Sequence, residues 1–330
     1  MADLLRYGAY VPRYRAPLPE LQTFLARPGR PRAQALATPG LDEDPLTMAY
    51  EASREALGGE APPRALLALT LSPPVGLRKL SATLVRALGL PEDTTPYDLA
   101  GHPGSLLDGL EVAAGLAERD AGRPILVVVS DHQVATDERA LDLLPAGGAA
   151  AFLVGATGGF CRLGPLVRAG QEVYDVWRLG VEPEPRYRLE VLADAYGWAA
   201  GAAFGALERI TERPAGGYAA VCPSQPHPQA LRGLARAGVG DEQLERTSFV
   251  GRIGNLGAAS VGLALALGLD GAEPGQELLA FGYGAGEGVA QALSVTAAPP
   301  SVGVAGRLEG EPITLGTYYR WTRGRHPEPH

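Results

Sequence analysis

A chain of 330 residues, 46% of them hydrophobic, can bury a large core as one big domain or two smaller ones. Its net charge of −8, with no dense Lys/Arg stripe, argues against a nucleic-acid or anionic-membrane surface. No apolar run reaches membrane-spanning length and no charged leader precedes one, so the expected location is cytoplasmic.

Strand-like and helix-like segments alternate along the chain, the pattern of an α/β protein. Residues 4–11 read as a strand stopped by Pro12, and the Pro- and Arg-rich residues 16–44 as a surface excursion. Asp44 or Thr47 can cap an amphipathic helix that runs to Leu57. A strand over 65–71, a helix over 79–88 and a short strand over 97–100 come next, then a helix over 104–119. The β-branched run 125–129 reads as a strand buried on both faces, and Pro145-Ala146-Gly147-Gly148 turns into a strand over 149–154. The order then starts again, with strands over 162–167 and 218–221, helices over 187–210, 229–237 and 258–267, and strands over 277–281 and 289–295. This divides the chain into halves 1–160 and 161–298 and an appendage 299–330 whose last residues, 323–330, read as disordered.

A repeat supports the two halves. Gly101-His102-Pro103-Gly104 opens one apolar run and Gly254-Asn255-Leu256-Gly257 opens another, with an offset of 153 (254 − 101) that also matches Gly109 with Gly262 and Gly115-Leu116 with Gly268-Leu269. His102 and Asn255 are therefore pseudosymmetric partners at two helix starts, where unpaired N–H groups and the positive end of the dipole favour an oxyanion or a nucleophile. The segment 282–288, Gly-Tyr-Gly-Ala-Gly-Glu-Gly, has the glycine spacing of a dinucleotide loop. No full helix follows it, so it reads as a tight strand-to-strand turn, with Gly282, Gly284 and Gly286 as a pocket wall. The two cysteines, Cys161 and Cys222, form neither a disulfide framework nor a metal cluster, and no metal is expected. Cys222, ending an apolar strand, reads as a buried small hydrophobe. His132 beside Asp131 reads as a solvated strand end, and Ser105 as lying inside the helix.

Six stretches together carry a resemblance: "YGAYVPRYR" (7–15), "DEDPLTMAYEASREAL" (42–57), "SPPVGLRKLSATLVRALGL" (72–90), "AGGAAAFLVG" (146–155), "RIGNLGAAS" (252–260) and "GYGAGEG" (282–288). In that order they resemble archaeal-type 3-hydroxy-3-methylglutaryl-CoA synthase and, more distantly, ketoacyl-acyl-carrier-protein synthase III. The resemblance implies a thiolase-like fold, two pseudosymmetric halves in five layers (αβαβα). It also implies a Cys nucleophile at the first repeated helix start, a His after the strand at 218–221, an Asn at the second helix start, and a homodimer. CoA or an acyl-CoA is the ligand it implies. The archaeal-type relatives further suggest a thiolase and a small zinc-ribbon/OB-fold protein as partners.

The chain departs from that pattern at the nucleophile. Counting from the upstream strand puts the Cys position at Gly101, and counting from the repeat puts it at His102. The family's acidic position reads Thr70-Leu71-Ser72. Its histidine falls on Pro223 or His227, while Asn255 fits either way. Three functions follow. The first is a non-condensing acyl-CoA-binding or partner-serving subunit with no covalently bound cofactor. The second is an acyltransferase, thioester hydrolase or decarboxylase using His102 or His227 without a covalent acyl-cysteine. The third is a condensing synthase with a displaced nucleophile.

Overall fold

The computed structural model describes residues 2–25, 31–99, 102–133, 138–179 and 185–325. Among these, nine strands make one sheet: β1 (Asp3–Tyr10), β2 (Ala65–Leu69), β3 (Thr95–Leu99), β4 (Ile125–His132), β5 (Gly147–Gly155), β6 (Cys161–Gly170), β7 (Ala220–Pro223), β8 (Glu277–Gly284) and β9 (Glu287–Val295). Their spatial order is β7-β8-β9-β6-β1-β5-β4-β2-β3. In the first half β3, β2 and β4 are parallel, and β5 and then β1 join antiparallel. In the second half β7 and β8 are parallel, and β9 and then β6 join antiparallel. Within the sheet the halves meet at the pairs Asp3↔Arg162 and Leu4↔Cys161, and a separate parallel bridge joins Pro145 to Asn255. So β1, β2, β4 and β5 correspond in order and direction to β6, β7, β8 and β9.

The helices repeat in the same way. The main ones are α1 (Pro45–Leu57), α2 (Leu80–Ala87), α3 (Leu106–Arg119), α4 (Leu189–Thr211), α5 (Pro228–Arg236), α6 (Ser260–Asp270) and α7 (Leu315–Arg325). Helices α1 and α2 cover one outer face, and α4 and α5 the other. The pseudosymmetric pair α3 and α6 lies between the two half-sheets. The parallel strands β2, β4, β7 and β8 are thus buried on both faces, which requires the apolar runs seen in their sequences, whereas the edge strand β3 is largely exposed. In β4, Ile125, Val127 and Val129 face the central helices, whereas Leu126 and Val128 face Met48, Ala52 and Leu84. In β8, Leu278 and Ala280 face the centre while Leu279 and Phe281 pack on Tyr196 and Phe204. Because α6 is enclosed all round, every residue from Ser260 to Leu269 is buried, and no amphipathic stripe remains.

Local chemistry explains the ends of these elements. Asp44 accepts from the Thr47 N–H at 2.8 Å while the Thr47 hydroxyl accepts from the Asp44 N–H at 2.7 Å, so both capping candidates act together at the start of α1. Strands β8 and β9 run further than the sequence suggested. Only Ala285-Gly286 turns between them, with φ of 53° and 87°, the paired positive values of a tight hairpin. The excursion over 16–44 is also more ordered than expected. Tyr14–Pro17 and Ala35–Thr38 form an antiparallel pair, Leu18–Phe24 a short helix, and Glu311–Pro312 from the appendage adds in parallel. Helix α7 runs through Arg325, into the stretch expected to be disordered, because Tyr318 buries itself in the cluster of Leu18, Leu21, Leu36, Leu141 and Leu144. Residues 326–330 lie outside the described residues.

Candidate active site

A cavity of about 450 Å³ opens where the two halves meet, at the carboxyl ends of the parallel strands. The first half supplies Leu71 and Ser72 after β2, His102 and Pro103 before α3, and Asp131 and His132 at the end of β4. From the second half come Ser224 and Pro226 after β7, Asn255, Gly257 and Ser260 at the start of α6, and Tyr283, Gly284 and Ala285 at the end of β8. Asp175, Trp177 and Arg178 close one side.

The repeat seen in the sequence recurs here as a pair of matching turns. His102 Nδ1 accepts from the Gly104 N–H at 3.0 Å, and Asn255 Oδ1 accepts from the Gly257 N–H at 2.9 Å. Each bond fixes its side chain against the start of its own helix. The His102 ring therefore carries its neutral-form proton on Nε2, which lies 3.4 Å from Glu287 Oε2 and 3.6 Å from Asp108 Oδ2. Burial works against ionisation of Asp108. The neighbouring His102 ring and a hydrogen bond from Arg168 at 2.7 Å outweigh it and hold the carboxyl below its usual range. This approach of the two halves needs glycine: a Cβ on Gly104 would lie 2.5 Å from the Tyr283 backbone nitrogen, and one on Gly284 would lie 2.3 Å from His102 Nδ1.

Asp131 is fully buried rather than solvated as its sequence position suggested. Its Oδ2 accepts from the Ala258 N–H at 2.9 Å and its Oδ1 from the His132 N–H at 3.0 Å and from the Ser72 hydroxyl. Desolvation pushes this carboxyl's pKa up, against the pull of those hydrogen bonds. Two hydroxyls of the cavity accept from backbone donors. Ser224 Oγ accepts from the Tyr283 N–H at 3.0 Å, and Ser260 Oγ from the Gln225 N–H at 2.7 Å. Among the described residues, their hydroxyl protons and the Nδ2 of Asn255 remain as donors. The floor of the cavity is thus suited to oxygen acceptors such as a carbonyl or a developing oxyanion.

Of the candidate site residues read from sequence, His102, Asn255 and Gly284 line the cavity, as do Asp131 and His132, read as a solvated strand end, and Ser72. His227 does not: it caps α5, accepting from the Gln229 N–H at 3.2 Å, and is 3% exposed. The count that gave Pro223 or His227 straddled Ser224, which is the residue that reaches the cavity after β7. Gly282 packs on the Gly104 backbone and Gly286 on Gln171, so neither lines the cavity. Gly101 lies outside the described residues. Ser105 is the residue preceding α3, not an interior position, and is buried away from the cavity lining. Cys161 and Cys222 are both buried, and burial raises each thiol to about 12. Sequence reasoning missed Ser224, Ser260, Asp175 and Tyr283. Tyr283 donates to Asp175 at 2.5 Å, a pairing across more than a hundred residues that no local pattern reveals.

No known family model matches the chain. It is 27% identical over 300 residues to the hydroxymethylglutaryl-CoA synthase of Methanocaldococcus jannaschii, covering 87% of both chains. It is 28% identical over 299 residues to that of Methanopyrus kandleri, covering 86% and 85%. Among solved structures, a hydroxymethylglutaryl-CoA synthase complexed with CoA superposes with a TM-score of 0.86 at 16% identity, over 97% of this chain and 89% of that one. A second, MvaS in complex with 3-hydroxy-3-methylglutaryl coenzyme A, gives 0.81 at 19% identity, over 98% and 91%. The chain is therefore similar to archaeal hydroxymethylglutaryl-CoA synthases along most of its length, and its fold is the thiolase-like α/β fold.

Proposed function

We propose that this protein is a non-condensing acyl-CoA-binding protein, acting as a subunit that serves a partner. One observation carries the reading: among the described residues, no cysteine lines the cavity. A thiol raised to about 12 is un-ionised at neutral pH, so neither cysteine supplies a thiolate to accept an acyl group. The donor-lined floor still suits a thioester carbonyl, and the similarity to hydroxymethylglutaryl-CoA synthases makes CoA thioesters the ligand class. Incubation with acetyl-CoA is expected to leave both cysteine peptides unmodified by mass spectrometry, while calorimetry detects reversible CoA binding. An acyl group mapped to Cys222 would restore a condensing synthase with a displaced nucleophile. The second reading, acyl transfer or thioester cleavage without an acyl-cysteine, is favoured by His102, which lines the cavity and holds its Nε2 beside two carboxylates.

Assembly belongs to the same proposal. Among the described residues, strand β3 is an open edge of the sheet with largely exposed side chains, Tyr97 being 42% exposed. An unpaired edge of this length is a template for a second copy, and pairing two β3 edges would make a symmetric dimer. Light scattering at micromolar concentration should therefore give twice 34.4 kDa. A thiolase and a zinc-ribbon/OB-fold protein are the further partners proposed.

A further inference from the structure

Among the described residues three serines line the cavity, and they are not equivalent. Ser224 and Ser260 each accept from a backbone N–H and, among the described residues, have no carboxylate partner. Ser72 accepts from the His132 N–H at 2.9 Å and gives its own proton to Asp131 Oδ1. The second oxygen of Asp131 is held by the Ala258 N–H at 2.9 Å, which leaves Oδ1 turned toward the serine. Burial of Asp131 makes its carboxylate a stronger base than one in water. The Tyr283 phenol also donates to a carboxylate, that of Asp175, but it is itself buried and its pKa is raised, so it yields no phenolate.

We infer that Ser72 and Asp131 form a serine–aspartate dyad that cleaves acyl-CoA thioesters by hydrolysis. The inference rests on the cavity being an acyl-thioester site. Ser72 Oγ attacks the thioester carbonyl, forming a C–O bond as its proton passes to Asp131 Oδ1. The oxyanion is met by donors from Asn255 Nδ2 and from the Ser224 and Ser260 hydroxyls. Collapse breaks the C–S bond, and the proton on Asp131 goes to the departing CoA sulfur. Water then attacks the acyl-serine ester and gives a proton to Asp131. The C–Oγ bond breaks, and Ser72 regains its proton. The net reaction is thioester plus water to carboxylic acid plus thiol.

The test uses the full chain with acetyl-CoA, free CoA being followed by chromatography, alongside labelling by an alkyl fluorophosphonate and peptide mapping. Wild type is expected to release CoA and to carry the label on Ser72. Ser72→Ala, with an unchanged melting temperature, should lose the label and fall at least ~10²-fold in rate while keeping CoA affinity within a few-fold. Asp131→Asn should also lose the label, provided circular dichroism shows it folded. Label on another residue, no label at all, or CoA bound without release would overturn the dyad. Failure to bind CoA with Ser72 still labelled would instead overturn the acyl-CoA-binding reading and leave the dyad standing.

Discussion

Gly257→Ala is expected to destabilise the protein by roughly 3 kcal/mol or more and to abolish ligand binding. A Cβ at this position would lie 2.0 Å from Asp131 Oδ2, and the residue has a φ of 56°, a left-handed conformation that suits glycine. The Asp131 side chain cannot retreat, because it is fully buried and holds Ser72, His132 and Ala258. Either the start of α6 shifts or the carboxylate loses its bonds, and both break the floor of the cavity. Gly205→Ala is the matching control. It lies in α4 with nothing within 4 Å of the added methyl, and should be neutral or stabilising by about 0.5–1 kcal/mol. Urea unfolding of the two variants measures the contrast. A Gly257→Ala midpoint indistinguishable from wild type would show that the Asp131 junction is not rigid.

His227 should make the protein lose stability in mild acid. Desolvation, followed by the nearby charge of Arg32, lowers its pKa from 6.5 to about 4, so the folded protein keeps it neutral at pH 5 while the unfolded chain protonates it. The unfolded state then binds more protons, and stability falls as pH drops from about 6.5 to about 4. The loss is complete below that, and amounts to at most about 3 kcal/mol. His227→Asn keeps a side-chain oxygen for the Gln229 N–H and removes the titration. Its unfolding free energy should match wild type to within about 0.5 kcal/mol at pH 7.5 and exceed it at pH 4.5, since Asn is as good a cap and carries no proton. Parallel curves for the two proteins across that range would place the His227 ring in contact with water.

Much of the architecture was legible because it is written in local spacing. The run over 125–129 announced a strand buried on both faces, Asp44 and Thr47 announced the start of α1, and the offset of 153 announced two equivalent helix starts. That offset reached down to single hydrogen bonds: His102 and Asn255 each hold the N–H two residues ahead. A repeat preserves local geometry, and a turn that fixes its own side chain needs no distant partner. The absence of a cysteine near the first helix start was equally plain.

By itself, then, the sequence determined the α/β class, the two similar halves and the pseudosymmetric pair at the cavity. Only the tertiary structure decided which polar groups meet there. Asp131 follows an apolar strand like many solvated residues, yet it is buried because the second half places the Gly257-Ala258 backbone over it. Ser72 gains its partner 59 positions away and Tyr283 gains Asp175 at a separation of 108. His227, with flanking prolines and a plausible count, is drawn away from the cavity to cap α5. Strand and helix periodicity is set by neighbours two to four residues away, whereas burial and hydrogen-bond pairing at strand ends depend on how the two halves close on each other.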